Sequence, residues 1–393
     1  MTAGEPLYGV QRRERILAQL REKGSVSVSV LARQLGVSEL TVRRDVNALA
    51  QQGLVTRVHG GATLRSVLDT TRAPASGPTP RYVIGMVVPS LDYYWPQIVN
   101  GARAEAARLR TTLLLRASTY DARDQRRQVE ALLRTPALDG LIVAPDTTGE
   151  GALDTLRWLD ALPVPVVLAE RRVPAAASAL RLDSVASDHE VGAALAVRHL
   201  REAGHTRIGL FTQRDNPSRG PVEAGWWSAL ETLDLPRDAA RLDGIRFDAP
   251  GRDEAMDEAL ELLERTRTSA VIVLPDPQAL ALEQHAVDRG IRVPRDLAIV
   301  AYDDDVARFG DPAITAIRPP KESVGREAVR LLVSRIEADD VRPTHRVRLG
   351  PELHVRQSSL PSSIDPASVG ASDAEAHDAA EADDAMEPGN ETA

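Results

Sequence analysis

The segment SELTVRRDVNALAQQ, residues 38–52, combines a regular apolar repeat with polar side chains that can form hydrogen bonds to a binding partner. Val42, Val46 and Leu49 recur at helical spacing, so the segment predicts a helix with these side chains in a core. The side chains left on its outer face are mostly polar: Ser38, Glu39, Thr41, Arg43, Arg44 and Asn47. Because arginine fits the two acceptors of guanine and Thr or Asn can meet other base edges, this face predicts contact with DNA.

Neighbouring segments supply the elements that would position this helix. An amphipathic pattern at residues 12–23 predicts a first helix, and VLARQL, residues 30–35, predicts a second that Ser29 caps and Gly36 ends. Ser38 then caps the third helix. A helix, a turn of about three residues and a second helix form the arrangement that places a helix in the major groove.

After the third helix, LVTRVHGGATL predicts two short strands around a Gly-Gly tip, a wing from which Arg57 and His59 can approach phosphates. Asp45 would be repelled by phosphates, so we interpret it as an internal scaffold residue. The alternative for this whole head is a small helical bundle whose surface arginines pack on another protein.

Charge and composition favour a nucleic-acid-binding head on a larger soluble protein. The 393 residues predict two or three domains, and residues 1–72 carry 11 Lys and Arg against 6 Asp and Glu although the chain has a net charge of -9. Cysteine is absent, which excludes disulfides, thiol nucleophiles and thiolate metal sites. No apolar stretch approaches the roughly 18 residues of a membrane span, and no apolar core follows the N-terminal charges. We therefore expect a cytoplasmic protein without membrane contact.

Residues 81–360 alternate short apolar runs such as YVIGMVVP and AVIVLPD with helical patterns of ten or more residues. Continuous runs of Val, Ile and Leu indicate strands covered on both faces, so an α/β fold with parallel sheets is predicted. In such sheets, ligands bind at the carboxyl ends of the strands.

Aromatic and acidic residues are concentrated at these predicted strand ends. The aromatic ones are Tyr93, Tyr94, Trp95, Tyr120, Phe211, Trp226 and Tyr302, and the acidic ones are Asp146, Glu170, Asp276 and Asp303. Aromatic faces stack on the C–H faces of a polyhydroxylated ring, and hydroxyls donate to carboxylates. This edge therefore predicts a site for a small polar ligand, most simply a sugar.

Two resemblances combine in the chain. Residues 25–62, with TVRRD in the third helix and HGG in the wing, resemble a DeoR-type winged helix-turn-helix. This resemblance implies sequence-specific binding of double-stranded DNA with the third helix in the major groove. Residues 81–360 resemble a LacI-type effector domain, through stretches such as IGMVVPSLDYYWPQIVNGARAEA, LDGLIVAP and VPRDLAIVAYDDD. That resemblance implies two periplasmic-binding-protein-like lobes joined by three crossovers, near Asp183, near residues 311–317 and after Arg335, with an effector closing the cleft.

The LacI-type resemblance also implies roles for particular residues. Tyr94 and Trp95 match the family's aromatic contacts after the first strand, and Asp303 matches its ligand-binding Asp. The family's effector-binding Arg is replaced by Val222, so we consider Arg219 as a substitute. Another usual polar position is Pro275, beside Asp276.

We expect four segments: a DNA-binding domain at 1–62, a linker at 63–80, the effector domain at 81–360 and an acidic, disordered tail at 361–393. The linker is rich in Pro and Ser and lacks the hinge helix of ordinary LacI-type proteins. Ordinary DeoR-type proteins sense sugar phosphates with a different, isomerase-like domain. The chain therefore resembles a hybrid of the two.

The expected function is a ligand-responsive transcription regulator, a repressor of carbohydrate-related genes that binds its operator as a homodimer. The alternative is an α/β sugar-acting enzyme with a DNA-binding appendage, but the sequence has no recognisable nucleophile motif or cofactor loop. A pure solute-binding protein is disfavoured by the missing export signal. No metal, cofactor or catalytic residue is predicted, because the histidines do not cluster at ligand spacing and consecutive Asp303, Asp304 and Asp305 point in different directions.

Overall fold

The architecture comes from a computed structural model of the chain. The structure describes residues 15–16, 19, 25–51, 55–58, 61–64, 80–91, 93–119, 121–147, 151–246, 251–338 and 342–360. The predicted linker and acidic tail therefore lie almost entirely outside the described residues. None of the described helices is long and apolar enough to cross a membrane.

The head contains the predicted helix pair and wing. Its helices are α1 (Val28–Leu35) and α2 (Glu39–Gln51). Its three-stranded sheet has the order β1-β3-β2, and its strands are β1 (Ser25–Ser27), β2 (Val55–Val58) and β3 (Gly61–Leu64). The prediction missed β1, which pairs antiparallel with the second strand of the wing. Of the helix predicted at 12–23, the structure describes three residues, all helical.

The caps of the head agree with the sequence at two of three positions. Gly36 ends α1 in the left-handed conformation at φ 65°, and the Ser38 hydroxyl accepts a 3.2 Å hydrogen bond from the Thr41 amide. The prediction that Ser29 caps the first of these helices is wrong, because α1 already begins at Val28. Val42, Val46 and Leu49 are buried with residues of α1, as their spacing predicted, and Asp45 is also buried.

The chain, including the head, divides into two compact units and crosses between them three times. Unit 1 comprises Met1–Ala186 and Lys321–Val347, and unit 2 comprises Ser187–Pro320 and Arg348–Ala393. The first crossing lies close to its predicted place near Asp183. The second and third lie after Pro320 and Val347, later in the chain than predicted.

Unit 1 is organised by a six-stranded sheet of order β14-β8-β7-β6-β4-β5. The strands are β4 (Tyr82–Val88), β5 (Thr111–Ala117), β6 (Gly140–Val143), β7 (Val166–Ala169), β8 (Asp183–Ser187) and β14 (Arg346–Leu349). The helices are α3 (Trp95–Arg108), α4 (Ala122–Leu133), α5 (Ala152–Asp160) and α10 (Lys321–Glu337). Strands β4 to β8 pair in parallel, as their continuous apolar runs predicted.

Unit 2 has a second six-stranded sheet, of order β10-β9-β11-β12-β13-β15. The strands are β9 (Ile208–Thr212), β10 (Arg241–Asp243), β11 (Ala270–Leu274), β12 (Ala298–Tyr302), β13 (Thr315–Arg318) and β15 (Glu352–His354). The helices are α6 (His189–Glu202), α7 (Arg219–Thr232), α8 (Arg252–Arg265) and α9 (Asp276–Asp288). All strand pairs are parallel except the edge pair of β13 and β15.

In unit 1, the backbones of α3 and α10 come into direct contact, because each helix has a glycine where the two helices meet. A Cβ on Gly101 would lie 2.7 Å from the carbonyl carbon of Glu322, and a Cβ on Gly325 would lie 2.7 Å from the amide nitrogen of Ala102. This close approach fixes the start of α10, and therefore Lys321, beside the segment that leads into α3.

Candidate functional site

The outer face of α2 presents the predicted DNA-reading residues to solvent. Arg43, Arg44 and Asn47 are exposed, whereas Val42 and Val46 are buried on the opposite side. Ser38 is exposed and its hydroxyl lies 2.9 Å from that of Thr41, so these two side chains form a polar pair at the helix start. Such a face can contact base edges and phosphates.

The side chains of three predicted DNA contacts lie outside the part of the chain that the structure describes. His59 lies outside the described residues. Glu39 begins α2 and Arg57 lies in β2, but only their backbone is described.

In unit 1 the structure brings the predicted ligand residues Tyr94, Trp95 and Glu170 together at the carboxyl ends of β4 and β7. The Tyr94 hydroxyl donates a 3.0 Å hydrogen bond to Oε1 of Glu170, and the rings of Tyr94 and Trp95 meet edge to face. Glu170 is buried and has a positive φ of 54°. Because that conformation is uncommon outside glycine, the backbone is held there by its surroundings, and the carboxylate has a fixed position.

Two cationic residues complete this edge, and neither was in the predicted set. The Arg171 guanidinium lies 5.5 Å from the Trp95 ring centre and donates a 2.7 Å hydrogen bond to the carbonyl of Pro145, after β6. The Lys321 ammonium lies 4.9 Å from the Tyr94 ring centre. Lys321 is remote in sequence, and the only signal for it is its place directly after Pro319 and Pro320 at a helix start.

The unit 1 edge therefore combines aromatic faces, a buried carboxylate and two cations, which lie on the segments that follow β4 and β7 and, for Lys321, at the start of α10. Asp146 follows β6 on the same edge and is exposed. Fixed hydrogen-bonding groups beside aromatic faces suit a small ligand rich in hydroxyl groups.

In unit 2, Asp303 follows β12 and is almost fully buried, with φ 100°. Its amide donates a 3.0 Å hydrogen bond to the carbonyl of Ile317 in the next strand. Its neighbour Asp304 is tied to cations: Oδ2 lies 2.9 Å from Arg318 and 3.2 Å from His354, and Oδ1 lies 2.7 Å from Arg356. Burial alone would raise the pKa of Asp304, but the hydrogen bonds from His354 and Arg356 and the nearby arginine charges outweigh it and lower the pKa.

The structure gives two predicted ligand residues of unit 2 a structural role instead. Asp276 is fully buried, and its Oδ2 accepts hydrogen bonds from the amides of Val306, at 2.7 Å, and Ala307, at 3.0 Å. Trp226 is also fully buried, and its indole donates a 3.1 Å hydrogen bond to the carbonyl of Ile208. Both side chains stabilise the fold of unit 2, so their positions do not support ligand contact.

Arg219, considered as a substitute for the missing effector-binding arginine, is held by acidic residues. Its Nη2 lies 3.0 Å from Oδ2 of Asp243, and Glu223 lies one helical turn further on in α7. Arg241 bridges the same two carboxylates. Val222, at the family position itself, is fully buried in the apolar core. The Arg219 guanidinium is therefore already paired with carboxylates of unit 2.

The aromatic residues at strand ends predicted a larger ligand site than the structure supports, because several of them belong to the core. Phe211 and Tyr302 are fully buried in the two cores of unit 2. The Tyr302 hydroxyl donates a 3.2 Å hydrogen bond to the carbonyl of His189, whose Nε2 lies 3.1 Å from the Ser218 hydroxyl. Tyr120 lies outside the described residues. A strand residue is buried whatever its type when both faces of its sheet are covered. Sequence periodicity therefore could not distinguish core residues from ligand-binding residues.

Among the residues that the structure describes, no three His, Asp or Glu side chains are grouped so that they could hold a metal ion.

Within unit 1, Leu91 of the loop after β4 packs against the apolar core of the head. The loop that leads to Tyr94 is therefore in contact with the helices of the head.

Comparison with known proteins defines the class of each part. Residues 12–67 match the model of the DeoR-like helix-turn-helix domain, and residues 197–359 match that of the periplasmic binding protein-like domain. The chain thus combines a helix-turn-helix head with a periplasmic-binding-protein-like α/β domain.

The following three similar proteins are all named as transcriptional repressors or regulators. The arabinose metabolism transcriptional repressor of Geobacillus stearothermophilus is 28% identical over 84% of this chain and 89% of its own length. The HTH-type transcriptional regulator DegA of Bacillus subtilis is 26% identical over 84% of this chain and 97% of its own. A solved LacI transcriptional regulator from a Rhodococcus species matches with a TM-score of 0.59 and 26% identity, covering 71% of this chain and 98% of that one.

Proposed function

We propose that this chain is a ligand-responsive, sequence-specific DNA-binding transcription regulator that acts as a repressor. The observation that carries the proposal is the exposed Arg43, Arg44 and Asn47 face of α2, joined in one chain to a domain of the periplasmic-binding-protein-like class. The names of relatives that cover 84% of the chain support the same function.

The head, residues 1–62, binds double-stranded operator DNA with α2 in the major groove. Arg43, Arg44 and Asn47 contact base edges or phosphates, together with Ser38, Glu39 and Thr41 at the helix start. Arg57 and His59 of the wing add contacts to the backbone. The excess of basic residues in the head favours this association electrostatically.

Residues 81–360 sense a small polar effector, a sugar in the simplest case. Tyr94, Trp95 and Glu170 bind it in unit 1, with Asp146 and the newly located Arg171 and Lys321 at the same edge. Asp303, at the end of β12, stays a predicted ligand residue of unit 2. Leu91 supports a physical connection from this site to DNA affinity, because it joins the loop before Tyr94 to the core of the head.

The protein acts as a cytoplasmic homodimer and not as an enzyme. A dimer presents two copies of α2 to half-sites about one helical turn, or a multiple of it, apart.

The deciding experiment is a gel-shift assay of the full chain at low salt with DNA from upstream of its own gene. The assay is repeated with L-arabinose, D-ribose and a set of other sugars, polyols and nucleosides. We expect a specific shift that one compound changes by five-fold or more, the range of ordinary allosteric coupling. Failure to shift this DNA under every condition would contradict the proposal.

A further inference from the structure

Glu283 in α9 is a buried carboxyl group that the ligand and DNA sites do not use. Its side chain is only 3% exposed, and Oε1 has no hydrogen-bond partner within the part of the chain that the structure describes. Buried carboxylates are normally paired or hydrogen-bonded at both oxygens, because an unpaired buried charge is costly.

The backbone segment over Glu283 is 309–311, which begins at the last residue of the short 3-10 turn Ala307–Phe309. The amide of Asp311 donates a hydrogen bond to the Glu283 carboxyl. A Cβ on Gly310 would lie 2.6 Å from Oε2, so glycine is the residue that lets the backbone come this close. The segment therefore lies directly on the carboxyl group.

The charges around Glu283 disfavour its ionised form. Asp311 is the charged residue that acts on it, and its negative charge adds to the effect of burial. The cations of neighbouring elements are engaged elsewhere: Arg308 lies over the Phe309 ring at 4.6 Å, and His285 of the same helix lies 2.6 Å from Asp257 of α8. Arg318 and Arg356 are bound to Asp304.

Helix α9 thus contacts the segment after β12 through two carboxyl side chains, one near each end of that segment. Near its first turn, Asp276 accepts hydrogen bonds from the amides of Val306 and Ala307. Two turns later, Glu283 contacts Gly310 and Asp311. The strongly exposed Phe309 lies between these two points, and Asp303 lies just before them.

We propose that Glu283 is a pH-sensitive switch for this segment. The neutral carboxyl holds residues 309–311 against α9, and release of its proton to solvent loosens the segment and the exposed Phe309 beside it. Burial raises the pKa of Glu283 to about 7, against the opposing hydrogen bond from the Asp311 amide, so the change falls in the physiological range. The inference is independent of the proposed transcriptional function.

The test is hydrogen exchange of the peptide spanning residues 306–313 in the full chain, measured from pH 5 to pH 8.5 and divided by the intrinsic exchange rate. An acid whose pKa is raised in the closed state makes opening easier by about tenfold for each pH unit between its two pKa values. We expect this rise in the wild type between about pH 5 and pH 7, and a plateau above it.

Glu283→Gln imitates the neutral form and should remove the rise, whereas Glu261→Gln, the same change at an exposed position of α8, should keep it. Asp311→Asn lowers the pKa of Glu283 and should move the plateau to lower pH, which keeps the test valid if Glu283→Gln does not fold. An equal pH dependence in the wild type and Glu283→Gln, or no rise in the wild type, would overturn the proposal.

Discussion

The hydroxyl of Tyr94 donates a 3.0 Å hydrogen bond to Oε1 of Glu170, and this bond joins the loop after β4 to the end of β7. It orients both side chains of the proposed ligand site, while the Lys321 ammonium lies on the ring of the same tyrosine. We therefore expect Tyr94→Phe to weaken effector binding by about 1.5 to 3 kcal/mol, the usual value of a hydrogen bond to a charged group.

The measurement for Tyr94→Phe is a thermal-shift titration with the sugar that stabilises the wild type. Tyr82→Phe is the matched control, because the Tyr82 hydroxyl makes a longer, exposed hydrogen bond of 3.4 Å to Glu337. Equal ligand stabilisation of Tyr94→Phe and the wild type would remove Tyr94 from the site.

The exposed face of α2 gives the second prediction. Arg44→Ala should weaken operator binding by about 1 to 3 kcal/mol if the side chain contacts a base, and it should relax selectivity at that base pair. Arg33→Ala, on the exposed side of α1, is the control for a loss of positive charge alone. A gel-shift titration against the operator and a scrambled sequence separates the two effects, and equal affinities in both variants would refute the role of Arg44.

The glycine contact between α3 and α10 gives a stability prediction. Gly101→Ala places a Cβ 2.7 Å from the carbonyl carbon of Glu322, so overpacking should cost about 1 to 3 kcal/mol or more. Gly220→Ala in α7 meets no atom within 4 Å, and helix propensity should make it neutral or slightly stabilising. Urea unfolding of both variants checks this contrast, which would be absent if α3 and α10 could move apart freely.

Asp183, the first residue of β8, forms a buried ion-pair cluster close to the first crossing between the units. Its fully buried carboxylate lies 2.8 Å from Arg335 and 2.6 Å from Arg342. Removing one side of a buried pair leaves uncompensated charge, so Asp183→Asn should cost about 3 to 5 kcal/mol of unfolding free energy. Asp154→Asn, in an exposed pair with Arg157, should change it by less than about 1 kcal/mol. Equal unfolding midpoints for these two variants would contradict the assignment.

His354 predicts a pH dependence of stability. Its hydrogen bond to Asp304 raises the pKa of His354 above the usual value, against the opposing effect of burial. The unfolded chain therefore loses the His354 proton at lower pH than the folded one, so stability falls as pH rises from the unfolded pKa through the folded pKa.

His354→Gln should remove this loss of stability at and above neutral pH. The effect is separable from that of Glu283, which is confined to more acidic pH and is abolished by Glu283→Gln. Melting temperatures of the wild type and both single variants, measured from pH 5 to pH 9, test this, and a wild-type slope that survives in His354→Gln would contradict it.

Local sequence patterns are sufficient to predict most of the elements and the fold class. The spacing of Val42, Val46 and Leu49 defined the buried side of α2, and the apolar runs defined the parallel strands, because helical and strand periodicity are local properties of the chain. The same local reasoning selected Tyr94, Trp95 and Glu170, which the structure places next to one another, since the carboxyl end of a parallel strand is recognisable from the strand alone.

The packing of distant segments determines which residues at strand ends belong to the core and which lie at the proposed ligand site. Trp226, Asp276 and Tyr302 have the residue types of a ligand site, yet packing and hydrogen bonds to Ile208, Val306 and His189 commit them to the fold. Lys321 and Arg171 join the site through contacts over long stretches of chain. Burial and long-range contact depend on where distant segments meet, and a pattern of neighbouring residues does not contain that information.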